Sequence, residues 1–287
     1  MVHTILRCFL LLLVGSIHIV AQSISFTLES RKSRHVEGEW IFLELRVKNE
    51  GSAVVEISPP DPWGNDIAYV CRTRSGVVIR YTGPSVNVVA GRKIKLLTGQ
   101  EVTETIQLDY LYGDRISNAS TWKALPPGEY ILEMTYAANA ETKLSASQAV
   151  HVLAPTGTEK QMFDDLKATL RSLSFRQMTR EQAILSFQEI EGRIPSSPYA
   201  SVASSIVPAW LRFSLDNPSA AQEASKAALI KHPEIALVPG FLSGTIRRIP
   251  KGEERQSFLR SIESLLGRQD SVIVRTARKE ISRGEQK

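Results

Sequence analysis

The sequence predicts a multidomain all-β plus all-α protein, with an antiparallel β-sandwich followed by an α-helical hairpin array or bundle. Two patterns along the 287 residues predict this fold class. In the first half, apolar and polar residues alternate over short segments separated by turn residues, which is typical of strands with one buried face. After residue 157 the apolar residues recur at helical spacing, which is typical of amphipathic helices.

Residues 1–23 have the pattern of a secretory signal peptide. Arg7 carries their only formal side-chain charge, positions 8–14 are apolar, and Ala-Gln-Ser at 21–23 is the small-x-small pattern that a signal peptidase recognises. The apolar run is shorter than the roughly 20 residues that span a bilayer as a helix. We therefore expect an exported protein, periplasmic or extracellular, with no stable membrane span after cleavage.

The first predicted domain, residues 24–153, is organised around the stretch V-E-G-E-W-I-F-L-E-L-R-V at 36–47. From Ile41 to Val47 apolar and polar side chains alternate, so this segment is predicted to be a central strand with one face in the core. Similar patterns predict further strands at 24–29, 54–57, 67–74, 77–81, 101–110, 129–136 and 145–153. Seven or eight short strands at this spacing favour a sandwich of two antiparallel sheets.

Two motifs in this domain resemble bacterial secreted domains of the immunoglobulin-like (Ig-like) or fibronectin-like kind. They are V-E-G-E-x-I-x-L-x-L-x-V-x-N at 36–49 and L-P-P-G-E-Y-I-L at 125–132. The pattern is also similar to the Ig-like proteinase inhibitors of bacilli. This resemblance implies an Ig-like antiparallel β-sandwich, and it implies a role as a peptidase inhibitor as one alternative function, with the loops at 61–66 or 85–97 entering a protease cleft.

Residues 154–157 are predicted to be a linker, and residues 158–287 an α-helical domain. Helices are predicted to start at Thr158, Thr179, Pro198, Pro218, Pro233, Glu253 and Asp270. The first two starts carry a Gln three residues later, as in a capping box, and proline is well tolerated in a first helical turn. The proline junctions at 194–200 and 232–234 resemble those between tetratricopeptide-type repeats, which implies stacked helical hairpins.

No sequence motif for catalysis is present. The chain lacks H-E-x-x-H, G-x-S-x-G, a Walker loop and a dinucleotide-binding fingerprint. Outside the leader the histidines are His35, His151 and His232, and we interpret all three as structural because no partner for them is visible in the sequence. We therefore predict that the protein is not an enzyme and uses no cofactor.

Other reactive side chains also favour structural roles. Cys71 alternates with apolar residues, so we expect a buried and inert thiol. Asp61 and Asp66 flank one loop, but two carboxylates alone supply too few oxygens for calcium, and no metal site is predicted. The basic residues at 275–283 are interpreted as a solvated helix face, and no nucleic-acid partner is predicted.

Three aromatic residues are the candidate binding residues. Trp40 and Phe42 lie on the otherwise polar face of the strand at 41–47, so we expect them to be covered by the helical domain or by an outside partner. Trp63 lies in a proline-flanked loop, and an exposed aromatic side chain is a common interface anchor. The leading hypothesis is an exported non-catalytic protein that binds an unknown protein partner or acts as a cell-envelope scaffold. The alternatives are the peptidase inhibitor and a hydrolase of unrecognised type.

Overall fold

A computed structural model of the protein describes residues 24–62, 64–83, 93–116, 122–214, 217–238, 241–266, 278 and 281–282. The predicted signal peptide at 1–23, Trp63 and the predicted helix start at Asp270 lie outside these residues. Among the described helices, none has both the length and the apolar content needed to cross a bilayer.

The described strands form several small sheets. In chain order they are β1 (Ile24–Ser30), β2 (Arg34–Val36), β3 (Phe42–Asn49), β4 (Val55–Ile57), β5 (Ile67–Thr73), β6 (Ile94–Leu96), β7 (Glu101–Gln107), β8 (Asp114–Arg115), β9 (Lys123–Ala124), β10 (Gly128–Ala137) and β11 (Lys143–Leu153). A three-stranded sheet has the order β1-β3-β7, and a four-stranded sheet has the order β2-β11-β10-β5. Two further pairs are β4-β6 and β8-β9. Most neighbours are antiparallel, but β2 pairs with β11 in parallel.

The described helices differ in how the free backbone groups of their first turns are capped. They are α1 (Leu108–Tyr112), α2 (Gly157–Ser174), α3 (Arg180–Arg193), α4 (Pro198–Ser214), α5 (Pro218–Lys231), a 3₁₀ helix (Pro233–Leu237), α6 (Phe241–Arg248) and α7 (Glu253–Leu266). The predicted capping box of Thr179 and Gln182 starts α3. At the start of α5, Asn217 accepts a hydrogen bond of 3.0 Å from the Ala220 N–H.

The predicted fold class is wrong. The described residues do not form an Ig-like antiparallel β-sandwich followed by a helical hairpin array. They form a mixed α/β structure with several small sheets. Helix α1 follows directly on strand β7, where the alternating sequence predicted that the strand continues to residue 110. The short 3₁₀ helix and the eight-residue α6 interrupt the expected succession of helix pairs. Alternation identifies strands, but it carries no information on which strands pair.

Strand and helix residues share hydrophobic clusters. The two larger sheets enclose one cluster, with Leu45 of β3 and Leu132 of β10 fully buried in it. Phe42 of β3 instead belongs to a cluster with Ile246 of α6 and Phe258 of α7. Side chains of the strand region therefore complete the cores of the helical region.

A turn at residues 37–39, here named the docking turn, joins the strands to the helices. The Trp122 indole N–H donates a hydrogen bond of 2.8 Å to the Gly38 carbonyl, and the Tyr199 hydroxyl of α4 donates one of 2.7 Å to the Glu37 carbonyl. Gly38 has a φ of 85°, a left-handed conformation that glycine adopts without steric cost. The docking turn leads into Trp40 and Phe42 and so positions both rings.

Candidate functional site

A cleft of about 520 Å³ opens between the strand segment 31–42 and the helical segments 195–201 and 231–234. We refer to this cavity as the cleft. Ligand pockets in proteins are roughly 300–1,000 Å³ and often lie where two structural regions meet. The cleft has both properties, which makes it the candidate site in the described part of the chain.

The cleft has an apolar wall that contains two of the three predicted binding residues. Trp40 and Phe42 both line it, with ring centroids 6.2 Å apart. Phe42 is buried, as predicted, whereas Trp40 is half-buried because its ring borders the cavity. Pro198 and Pro233 continue the apolar lining on the helical side.

A polar network on the strand side contains His35. The Ser30 hydroxyl donates a hydrogen bond of 2.5 Å to the Lys32 carbonyl and lies 3.2 Å from His35 Nε2. Because a hydroxyl has one hydrogen and the shorter bond takes it, Nε2 carries a hydrogen and donates it to Ser30. His35 Nδ1 is buried and lies 3.6 Å from Glu39 Oε1, which is too far for a hydrogen bond.

Glu39 is the buried carboxylate of this network. It accepts a hydrogen bond from the Lys32 ammonium and one of 3.1 Å from the Val36 N–H. Burial raises the pKa of Glu39, but the His35 ring and the Lys32 ammonium lower it by more, so that this pKa lies below its usual value. Glu39 is therefore ionised at neutral pH.

A similar network lies on the helical side and contains His232. The Ser201 hydroxyl donates to Glu234, and its oxygen lies 3.2 Å from His232 Nδ1. Because the single Ser201 hydrogen goes to Glu234, His232 Nδ1 is the donor to the Ser201 oxygen. His232 Nε2 is buried, has no hydrogen-bond partner and lies 3.8 Å from Glu191 Oε1. The Lys231 ammonium donates a hydrogen bond of 2.7 Å to the same Glu191 oxygen.

The charge state of His232 follows from its burial. Burial lowers the pKa of His232, against the opposing effect of Glu234 and Glu191. The ring is therefore neutral at neutral pH, with its Nε2 lone pair unused.

Ser201, His232 and Glu234 are the residue types of a hydrolytic triad, but they do not form the hydrogen bonds of one. In a triad the serine donates its proton to the histidine, which acts as the base. Ser201 donates to Glu234 instead and is only 3% exposed. The contact therefore ties α4 to the 3₁₀ helix.

Ser201→Ala is expected to lower the free energy of unfolding by about 1–3 kcal/mol, because His232 Nδ1 and Glu234 both lose a buried partner. Urea unfolding would measure the change. Ser205→Ala is the matched control, since Ser205 lies one turn further along α4 and only donates to the Val202 carbonyl in its own helix. Equal losses in the two variants would contradict a special role for the Ser201 contact.

Other candidate residues lie away from the cleft. Cys71 faces the core, as predicted, and burial raises the pKa of its thiol to about 12. His151 lies on β11 opposite Glu129 of β10. Among the described residues no group of His, Cys, Asp and Glu side chains is arranged to hold a metal ion.

The sequence interpretation did not identify His35 and His232 as parts of one site. Each was interpreted as structural because no partner for it is visible in the sequence. The sequence does contain a local indication of each polar network, because each histidine has a lysine and a glutamate close by in the sequence. Lys231 and Glu234, for example, flank His232. Such a signal does not show that two distant segments meet.

No protein-family model and no curated protein sequence matches the chain. Among solved structures, the β-glucosidase EmGH1 from Erythrobacter marinus matches over 46% of this chain and 15% of its own, with 14% identity and a TM-score of 0.26. A β-glucosidase from Listeria innocua matches over 47% of this chain and 16% of its own, with 15% identity and a TM-score of 0.26. The sporulation control protein Spo0M from Bacillus subtilis matches over 53% of this chain and 56% of its own, with 13% identity and a TM-score of 0.28. The chain thus spans less than two thirds of each of these proteins, and TM-scores this low support no conclusion about its fold or function.

Proposed function

We propose that this protein is an exported, non-catalytic protein-binding protein that takes a segment of a partner protein into the cleft. The observation that carries the proposal is the pair Trp40 and Phe42, which forms the aromatic wall of a cavity lined elsewhere by prolines and polar groups. Aromatic side chains bury a large area at a low cost in rotamer entropy, and they are enriched among residues that dominate binding energy.

The dimensions of the cleft favour a short segment as the ligand. A cavity of about 520 Å³ holds a few side chains and is too small for a folded domain. Its polar groups would fix the orientation of such a segment, while the aromatic wall would supply most of the buried area.

The arrangement of Ser201 and His232 supports binding over hydrolysis. A nucleophilic hydroxyl must be free to give its proton to a base, but the Ser201 hydroxyl donates to Glu234. The sequence pattern at residues 1–23 supports export. The peptidase-inhibitor alternative depends on the loops at 61–66 and 85–97, which lie partly outside the described residues.

Site-specific photo-crosslinking would test the proposal. A variant with p-benzoylphenylalanine in place of Trp40 is expected to capture one defined partner from an extract of the source cells, and an excess of unlabelled wild-type protein should prevent the capture. The matched control places the same group at Phe175, which is 64% exposed and outside the cleft. Identical products from both positions, or no product that the wild type competes away, would rule the proposal out.

A further inference from the structure

We propose that the side of strand β11 that faces away from β10 binds an extended acidic segment of a partner protein, which joins the sheet as a further strand. We name this surface the open edge. It consists of the backbone N–H and C=O groups of Lys143, Ser145, Ser147 and Ala149 that point away from β10. The open edge is separate from the cleft, so this inference goes beyond the proposed function.

The hydrogen bonds at the two ends of β11 show which backbone groups lie on the open edge. In an antiparallel pair, alternate residues bond to the partner strand, and the residues between them point their N–H and C=O groups the other way. The Ala138 N–H donates to the Thr142 carbonyl, directly across from it in the register of β10 and β11. The even-numbered residues of β11 therefore bond to β10. Consistently, the odd-numbered Leu153 points its carbonyl the other way, where it accepts from the Glu37 N–H next to β2.

Most of the open edge has no strand beside it among the described residues. On one side of β11, β10 pairs with residues 143–152. On the other side, β2 pairs only with residues 151–153. Residues 143–149, a stretch of about 20 Å, are therefore paired on one side only within the described part of the chain.

The burial of the side chains shows the same difference between the two strands. On the face of the sheet that points into the core, Leu132 and Met134 of β10 are 0% and 1% exposed. Leu144 and Ala146 of β11 pack against the same core but are only half-buried. An added strand with apolar side chains on this face would cover them.

The sequence of this stretch does not protect it from pairing. Edge strands usually carry charged residues or proline, which prevent the addition of another strand. Residues 144–149 are L-S-A-S-Q-A, with neither. Gln148 Nε2 donates a hydrogen bond of 2.7 Å to the Ala149 carbonyl. No such bond engages the outward backbone groups of Ser145 and Ser147 among the described residues, so these groups are available to an added strand.

The charges at one end of the open edge favour an acidic segment. The open edge ends where β2 begins, and the exposed residues Arg31, Lys32 and Arg34 lie at this point. Lys32 forms an ion pair with Glu39, whereas Arg34 has no ion-pair partner in the described part of the chain. A segment on the open edge would have one end within reach of the long Arg34 side chain. Charge complementarity of this kind attracts an acidic partner and repels a basic one.

The carboxylates on the outward face of the same sheet do not cancel this charge. Glu129 and Glu133 of β10 form ion pairs with Arg74 and Arg72, at 2.6 Å and 3.3 Å. Both carboxylates are thus matched by cations of their own. Arg34 therefore adds positive charge at the end of the open edge.

Fluorescence polarisation with labelled peptides at pH 7.5 and low salt would test the inference. The peptide EETVTVTVEE has capped ends, and two further versions carry glutamine or lysine in place of glutamate. Its valines lie on one face and would cover Leu144 and Ala146. We expect the glutamate peptide to bind about tenfold more tightly than the glutamine peptide, and the lysine peptide to bind more weakly than both.

Two lysine and arginine variants test the contribution of charge on the protein. Arg34→Met should weaken binding of the glutamate peptide by about two- to fivefold and leave the glutamine peptide unchanged. The matched control is Lys160→Met, because Lys160 is 62% exposed and lies on α2, away from β11. This control makes the same change in net charge and should leave binding of both peptides within a factor of about two.

N-methylated versions of the glutamate peptide test the main-chain pairing. One version carries methyl groups on the threonine nitrogens and the other on the valine nitrogens, so each blocks one of the two edges of the peptide. Only one edge of the bound peptide faces β11. We therefore expect one version to lose binding by about fivefold or more and the other to retain it, and the version that loses binding shows whether the added strand is antiparallel or parallel.

Variants of Ser147 test the same pairing from the side of the protein. Ser147→Pro removes an outward N–H group without removing a hydrogen bond to β10, and it should weaken binding of the glutamate peptide by about tenfold or more. Ser147→Val is the matched control, because it keeps this N–H group, and it should leave binding within a factor of about two. Urea unfolding would check that both variants are folded; if Ser147→Pro is not, the methylated peptides decide.

Four results would overturn the inference. They are failure of all the peptides to bind, equal binding of the glutamate and lysine peptides, the same effect of both methylation patterns, and a dimer of the wild-type protein that Ser147→Pro converts to a monomer. The last result, measured by sedimentation, would assign the open edge to a second copy of the chain. None of these results bears on the crosslinking from position 40, which tests the proposed function separately.

Discussion

Asp109→Asn is expected to raise the free energy of unfolding at pH 8 by on the order of 1–3 kcal/mol, whereas Asp109→Ala is expected to lower it by about as much. Asp109 lies in α1 and is 1% exposed. Its Oδ1 accepts a hydrogen bond of 2.8 Å from the Ile41 N–H, and its Oδ2 accepts one of 2.7 Å from Gln107 Nε2. Alanine would leave the buried Ile41 N–H without an acceptor, and asparagine would keep this acceptor without a buried charge.

The amide of Gln107 explains why asparagine fits this site. Gln107 Oε1 is buried and has no hydrogen-bond partner. If the Gln107 amide rotates by half a turn, Oε1 can accept from the new side-chain NH₂ of the Asp109→Asn variant. The substitution therefore keeps a hydrogen bond between the two side chains, with its direction reversed and without a buried charge.

The effect of Asp109 on stability depends on pH. Burial raises the pKa of Asp109 to about 7, against the opposing effects of the Ile41 N–H, the Gln107 amide and the nearby His35. The usual pKa of an aspartate in an unfolded chain is about 3.9. Between these values the folded state binds the proton more tightly, so the stability from this group is complete below about pH 4 and is lost as the pH rises through about 7.

Urea unfolding at pH 5 and pH 8 would measure this dependence. The advantage of Asp109→Asn over the wild type should grow from pH 5 to pH 8, since the asparagine has no charge to bury. Asp114→Asn is the control, because Asp114 is an exposed aspartate close by in the chain and its substitution should change stability by less than about 0.5 kcal/mol. An advantage of Asp109→Asn that is the same at both pH values would contradict the raised pKa.

Asp109 also illustrates why part of the fold could not be predicted from the sequence. The alternation of 129–136 predicted a strand, and β10 extends it by one residue at each end. The alternation at 101–110 also predicted one strand, but α1 begins at Leu108. A five-residue helix is too short to show a helical period. Its position depends on the hydrogen bond between Asp109 and Ile41, which are far apart in the sequence.

Part of the candidate site could also be predicted from the sequence. Trp40 and Phe42 were recognisable because two large apolar residues on an otherwise polar strand face require a cover. The cover is the helical region, as the cluster that contains Phe42 shows. His35 and His232 were not recognisable as a pair, because only the packing of strands against helices brings both to one cleft. Local periodicity predicts elements, whereas the site depends on contacts between them.

Gly38→Ala tests the contact that holds these elements together and is expected to lower the free energy of unfolding by about 2–4 kcal/mol. A Cβ at Gly38 would lie 2.6 Å from Phe163 Cε2 of α2 and 2.7 Å from Trp122 Cζ2. Both are ring atoms of buried side chains, so neither ring can move without disturbing the cluster that they share. The left-handed backbone of Gly38 adds strain of about 1 kcal/mol for any residue with a Cβ.

Gly76→Ala separates these two contributions, because Gly76 has a similar φ of 88° but no atom within 4 Å of the added Cβ. This control should lose only about 1 kcal/mol, and the excess loss in Gly38→Ala measures the close packing of the docking turn on the helices. The docking turn includes Glu39 and precedes Trp40, so a displaced turn also moves one wall of the cleft. We therefore expect Gly38→Ala to reduce crosslinking of the partner from position 40 under conditions where it remains folded, and Gly76→Ala to leave this crosslinking unchanged. Equal stability losses in the two variants would mean that the strands and helices meet loosely, and a cleft built between them would then have no fixed shape.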